Sequence, residues 1–200
     1  MSFSEETPRR SFVKQSVSAA LGLSVAMPAV AALLKSFPAE AAEGDAPLLS
    51  GAPVATTEKE FRQGVIGPAE LSLATSQIAS TKATQKNAKE FAGFELTEAI
   101  AVTTVLKDLG TPVPAPDAKA KATLAKIKST PAGAAFDKAY IQAQLENHEF
   151  LRDLAQNYLK NSAGKTTPAE SQTRHLATLA LAVFKEHVAI TKRILSELGA

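Results

Sequence analysis

The sequence predicts an all-α fold: an antiparallel four-helix bundle with one short extra helix between the second and third long helices. Helix-favouring residues dominate the composition, and aromatic residues make up only 6% of the 200 residues. Apolar residues recur with helical spacing in four long segments, whereas runs that alternate with the period of a strand are missing. Such amphipathic helices bury their apolar faces by packing on one another.

Capping residues and helix breakers mark the first two long helices. Thr57–Glu60 has the Thr-x-x-Glu pattern of a capping box, and Gly67-Pro68 predicts a kink or a break further along the first helix. The second helix is predicted from about Thr84 to Leu109, with Gly110 closing it. Its apolar stripe comprises Ala88, Phe91, Ala92, Ala99, Val102, Val105, Leu106 and Leu109.

The second half of the chain contains the short helix and two further long ones. The short helix is predicted from Asp117 to about Lys128, and the third long helix from Thr130 to about Asn161. Phe136, Tyr140, Ala143, Leu151, Leu154 and Tyr158 share one face of that helix. Thr167 caps the last helix, which runs to Leu198. Its apolar stripe comprises Leu176, Leu179, Ala180, Val183, Ile190, Ile194 and Leu198, and His187 lies within it.

Composition and charge exclude several classes of function. An apolar content of 45% supports one core rather than two domains. The net charge is only +2, and basic clusters interleaved with aromatic residues are missing, so nucleic acid is not an expected partner. The chain has no cysteine, which excludes disulfides, thiolate nucleophiles and cysteine-ligated metals.

The N-terminal segment resembles a twin-arginine export signal. Arg9, Arg10, Phe12 and Lys14 follow its pattern, and an uncharged, mildly apolar stretch comes after them. We therefore expect a signal peptide over residues 1–31, with cleavage as late as residue 41, a flexible leader over 32–56, and the bundle over 57–199. The implied partner is the twin-arginine translocation machinery, and the implied compartment is the periplasm. No stable membrane span is expected after processing.

Four polar residues on four different helices form a candidate metal site. They are Glu70, Glu98, His148 and His187, with Glu95 as a substitute carboxylate, because Glu95 and Glu98 share one arc of the second helix. Two imidazoles and two carboxylates suit one transition metal ion such as Zn, Cu, Fe or Mn. A di-iron carboxylate site is not expected, since neither histidine has a glutamate three residues before it.

The interpretation that the sequence favours is a buried polar layer without a metal. A single histidine on an apolar helix face is more often a hydrogen-bonded core residue than a ligand, and Glu95 or Glu98 can accept hydrogen bonds in such a layer. Their expected donors are His148, His187, Gln144 and Tyr140. His148 lies roughly 100° from the centre of its helix's apolar face, which counts against a shared site and leaves surface exposure as a third alternative. His175 is similarly off its stripe and is expected in solvent.

Several residues stand in the order seen in one protein family. They are Phe61, Glu70, Leu71, Phe91, Ala92, Phe136, Asp137, Tyr140, Ile141, His148 and His187. Together they resemble bacterial exported proteins grouped as domain of unknown function family 4142. The resemblance covers about residues 57–199 and implies a ferritin-like fold without a settled activity. Members commonly carry an Asp-His pair midway along the second helix, where this chain has Glu98-Ala99.

These observations favour a non-enzymatic, exported helical protein with a role in the envelope or in stress. One alternative is a periplasmic metal-binding or redox protein that uses the small His/carboxylate site. The other is a module that binds a partner or a membrane surface, which would require a large uncovered apolar patch.

Overall fold

The computed structural model describes residues 53–199, so the predicted signal peptide, with Arg9, Arg10, Phe12 and Lys14, lies outside the described residues. The described part contains five α-helices and no strand, which confirms the all-α prediction. Within residues 53–199, no helix has the length and apolarity needed to cross a membrane. The helices are α1 (Glu58–Lys82), α2 (Lys86–Asp108), α3 (Ala118–Ser129), α4 (Ala134–Asn161) and α5 (Pro168–Glu197).

α1 begins at the predicted capping box but is not broken at Pro68. The Thr57 side chain accepts from the Glu60 N–H, and Glu60 accepts from the Thr57 N–H in return. The helix then continues through Pro68, so the predicted break is absent. Pro68 removes one backbone donor, and its own carbonyl accepts a hydrogen bond from Asn147 of α4 at 3.1 Å. Packing against α4 therefore supports α1 at Pro68, where the helix lacks a backbone hydrogen-bond donor.

α4 occupies the middle of the packing and buries a wide face. It packs on α1, α3 and α5, so residues over a broad arc are enclosed, including Ile141, Gln144 and Leu145. His148 lies within this arc and is only 2% exposed. His148 was predicted to lie off the apolar face of its helix because only the apolar residues were used to define that face. In the structure α4 has neighbouring helices on several sides, so the buried face is wider and includes His148.

The apolar stripes of α2 and α5 are partly in solvent. α2 packs mainly on α1, and α5 packs mainly on α4. Five residues that the sequence assigned to the buried stripes are consequently exposed, which corrects that prediction: Val102, Val105, Leu109, Leu176 and Leu179. On α5, the buried positions near them are instead Thr173 and Ala177.

The apolar core consists of two clusters separated by a polar level. One cluster contains Phe91, Leu145 and Val188, and the other contains Leu106, Leu151 and Ala177. On each of α2, α4 and α5, a buried polar residue lies between these two sets along the helix: Glu95, His148 and His187. The titratable side chains of Glu95, His148 and His187 therefore lie in one polar layer between the two apolar clusters.

Before α1, the chain is already held against the domain. Pro53 and Ala55, which the sequence assigned to the leader, are buried. The carbonyl of Pro53 accepts from Asn157 at 2.8 Å, and that of Ala55 accepts from Asn161 at 3.3 Å. The final residues of the predicted leader thus pack on the end of α4.

Candidate metal centre

Three metal-ligand side chains meet inside the domain. Glu95 of α2, His148 of α4 and His187 of α5 are all buried, and one ligand atom from each lies close to the other two. His148 Nε2 is 3.0 Å from His187 Nδ1, and Glu95 Oε2 is 3.2 Å from the former and 3.1 Å from the latter. These atoms form a nearly equilateral triangle of two imidazole nitrogens and one carboxylate oxygen.

The tautomer of His148 follows from the contact of its other ring nitrogen. His148 Nδ1 lies 2.8 Å from the backbone carbonyl of Gln144. Because a carbonyl only accepts, Nδ1 carries the proton and donates it. In the neutral ring, Nε2 then turns a lone pair toward Glu95 and His187. A backbone carbonyl that fixes the tautomer in this way is the usual support of a metal-ligating histidine.

His187 is positioned by a carboxylate on its far side. Its Nε2 lies 3.5 Å from Oε2 of Glu98, whose side chain is 45% exposed. Burial lowers the pKa of His187, but the nearby Glu95 and Glu98 carboxylates outweigh burial and raise it to about 9. In the protein without a metal, a protonated His187 can donate from Nδ1 into the cluster and from Nε2 to Glu98.

Glu95 is a buried carboxylate. Within residues 53–199, the basic side chains paired with it are those of His148 and His187. Burial raises the pKa of its carboxyl, but the proximity of His148 and His187 outweighs burial, and the net shift is downward. Although both ring nitrogens lie within 3.2 Å, Glu95 Oε2 makes no hydrogen bond with any described residue. A buried anionic oxygen in this state is costly, and its charge can be offset by a metal ion or by a protonated His187.

Aromatic rings enclose the two histidines. Phe91 meets the ring of His187 edge-on at a centroid distance of 5.2 Å and that of His148 at 6.2 Å. Phe184 lies on another side of His148 at 6.1 Å. These rings limit the movement of the imidazoles and exclude water from the sides that they cover, which strengthens electrostatic attraction in the cluster.

A hydrogen-bonded network between α1 and α4 borders the site. Ser72 donates to Gln144 Oε1 at 2.8 Å, and the Gln144 amide donates to Thr75 and Ser76. Ser76 in turn bonds the Tyr140 hydroxyl at 2.9 Å. Gln144 and Tyr140 were expected to bond the glutamates of α2, but they bond α1 instead. Ser72 and Ser76 were not among the predicted site residues, although both share one helical face with the buried Val65 and could have been recognised by that spacing.

A cavity of about 40 Å³ adjoins the cluster. Glu95 and His148 form part of its wall, while Glu98 and Val102 lie where it meets solvent, since these two are the more exposed of its lining residues on α2. The rest of the wall is mainly apolar and comes from α1, α2, α4 and α5: Val65, Ala69, Ala99, Leu151 and Phe184.

The dimensions of the triangle match those of a metal-ligand face. With metal–ligand bonds of about 2.0 Å, neighbouring ligands lie about 3.3 Å apart around a tetrahedral ion and about 2.8 Å apart around an octahedral one. The three observed separations, 3.0, 3.1 and 3.2 Å, fall between these values. A small divalent transition metal ion therefore fits the cluster without a large movement of the helices.

The structure separates the residues that the sequence proposed as ligands. His148 and His187 meet, and Glu95, the substitute carboxylate, meets them. Glu98 lies behind His187, on the side away from the triangle. Glu70 is apart from the cluster and forms an ion pair with Lys107 at 2.6 Å.

Comparison with known proteins identifies the family. No curated protein and no solved structure matches the chain. The model of one protein family matches residues 44–194, which span all three cluster residues and most of every described helix. The chain belongs to the family described as the domain of unknown function DUF4142.

Proposed function

We propose that this protein binds one divalent transition metal ion through Glu95, His148 and His187. Two histidines and one carboxylate on one face of the ion leave its remaining coordination positions open, an arrangement typical of non-haem ferrous sites and also used by zinc. Glu98, behind His187, would orient that imidazole by accepting from its Nε2–H, as a carboxylate does in many metal sites.

The observation that carries this proposal is the orphaned oxygen of Glu95 beside two ring nitrogens. In the neutral form of His148, Nδ1–H donates away from the cluster and Nε2 presents a lone pair, while Glu95 Oε2 presents another within 3.2 Å. Two lone pairs this close repel each other unless a cation lies between them. A metal ion satisfies both atoms at once.

We also propose the wider setting that the sequence suggests. The four long helices would form an antiparallel bundle of ferritin-like type, with α3 as the short extra helix, and the packing of α1 on α2 and of α4 on α5 supports this arrangement. The N-terminal segment would direct the protein to the periplasm by the twin-arginine route. That route carries folded proteins, so the metal would be bound before export.

Elemental analysis of the exported protein from its native host tests the metal site. We expect about one transition metal ion per chain in the wild type and loss of most of it in His148→Ala and His187→Ala, because each removes one of three protein ligands. His175→Ala is the matched control, since His175 is exposed and belongs to no metal-ligand cluster among residues 53–199. Glu70→Ala is the matched carboxylate control for Glu95→Ala. A metal-free wild type, or equal metal in all variants, would contradict the proposal.

A second candidate is a structural polar layer held by a proton. The raised pKa of His187 favours it, because a protonated imidazole also satisfies Glu95 and His148. This alternative predicts that the exported protein carries no stoichiometric metal. It further predicts that His187→Leu lowers the free energy of unfolding by about 3–5 kcal/mol, since removing one partner leaves Glu95 as an uncompensated buried charge.

Export is tested separately from metal binding. Replacing Arg9 and Arg10 by lysine is expected to leave most of the precursor in the cytoplasm, because the paired arginines are the part of the signal that the translocation machinery reads. Fractionation followed by immunoblotting measures the change. Unaltered accumulation of processed protein in the periplasm would refute the twin-arginine assignment.

A further inference from the structure

We propose that the cavity beside Glu95 and His148 is the binding site for a small uncharged diatomic ligand of the metal, of the size of dioxygen or nitric oxide. This inference rests on the proposed metal site and extends it, since it names what occupies the open coordination position.

The size of the cavity limits the ligand. About 10–15 Å³ of such a volume holds one water molecule. The cavity measures about 40 Å³ and is bordered by two of the three proposed metal ligands, Glu95 and His148. A molecule of two or three non-hydrogen atoms therefore fits in this space while bound to the metal.

The charge of the wall limits the ligand further. Glu95 and Glu98 are the charged groups that line the cavity, and both are acidic. Most of the other lining residues are apolar side chains, which offer no hydrogen bonds to an ion. The charge of a divalent ion would be balanced by these two carboxylates, so the site has no net positive charge to attract an anion, and a neutral molecule is favoured.

The path from solvent lies along α2. Val102 is 38% exposed, and Glu98 is partly exposed one turn before it, whereas Ala99 between them is buried at 4%. The opening therefore lies beside Glu98 and Val102, and Ala99 faces inward. A larger side chain at Ala99 would fill the cavity, and one at Val102 would cover its mouth.

Nitric oxide and the iron-loaded protein provide the test. The full mature protein is loaded anaerobically with ferrous iron, its iron content is measured, and it is exposed to nitric oxide. We expect the half-integer-spin EPR signal of a ferrous nitrosyl in the wild type. Ala99→Leu and Val102→Phe are expected to keep their iron. The intensity of their nitrosyl signal per iron should be about tenfold lower than in the wild type, because the added atoms occupy the ligand's place. Val102 is exposed, so Val102→Phe remains informative if the larger residue at position 99 prevents folding.

Val105→Phe is the matched control, because Val105 is an exposed valine on the same helix that does not line the cavity. It should bind nitric oxide as the wild type does. If the wild type retains iron but gives no nitrosyl signal, or if both cavity variants give the full signal, the cavity inference is overturned and the metal site stands. If the wild type retains no iron, the proposed function itself fails, and this inference fails with it.

Discussion

Addition of Fe²⁺ or Zn²⁺ to the metal-free protein is expected to raise its unfolding temperature by about 10 °C. A ligand that binds only the folded state at about 1,000 times its dissociation constant stabilises that state by about 4 kcal/mol. A domain of this size gains about 2–4 °C per kcal/mol. The effect is large because the metal replaces a costly arrangement, in which Glu95 Oε2 is buried without a hydrogen bond among the described residues.

Differential scanning calorimetry of the wild type and three variants measures this shift. In His148→Ala and His187→Ala, the increase should shrink to a small fraction of the wild-type value, since each variant has lost a ligand. His175→Ala removes an exposed histidine and should retain the full increase. An equal increase in all four proteins would show that the metal binds elsewhere.

Asp137→Ala is expected to lower the free energy of unfolding by about 3 kcal/mol, because charged hydrogen bonds contribute about 1.5–3 kcal/mol each and unpaired buried donors are costly. Asp137 is 0% exposed in the first turn of α4. It accepts from the Thr84 N–H at 3.0 Å, the Thr84 hydroxyl at 2.6 Å and the Gln85 N–H at 2.8 Å. It thereby ties the turn between α1 and α2 to the start of α4, and its charge also suits a helix N-terminus.

Urea unfolding compares this variant with two others. Asp137→Asn retains an acceptor oxygen and loses the charge, so we expect a smaller loss than for alanine. Asp108→Ala is the matched control on an exposed position at the end of α2 and should change stability by less than about 0.5 kcal/mol. A similar small change for Asp137→Ala would show that the turn is held by other contacts.

Several helix ends could be predicted because their signals are local, although α4 begins at Ala134, after Gly133, rather than at the predicted Thr130. Thr57 and Thr167 accept from N–H groups in the first turn of α1 and α5, as their sequence positions indicated. Pro68 could not be interpreted in the same way. The effect of a proline inside a helix depends on what packs beside it, and Asn147 of α4 is far away in sequence.

The sequence could not decide which of two glutamates on α2, Glu95 or Glu98, joins the histidines. Glu95 and Glu98 are three residues apart on α2, and both fall within its apolar arc. In the folded protein Glu95 is 4% exposed beside His148 and His187, whereas the Glu98 side chain is 45% exposed. A difference of about 60° in direction is smaller than the uncertainty of an apolar face drawn from spacing alone.

The sequence by itself determined the helical content, the main breaks between helices and the presence of a histidine on each of α4 and α5. Tertiary structure alone decided that Glu95 rather than Glu70 joins these histidines, that His148 points inward, and that a cavity adjoins them. The reason is physical. Caps, breakers and helical spacing act over a few residues, whereas the rotation of each helix is set by its contacts with helices far away in the chain.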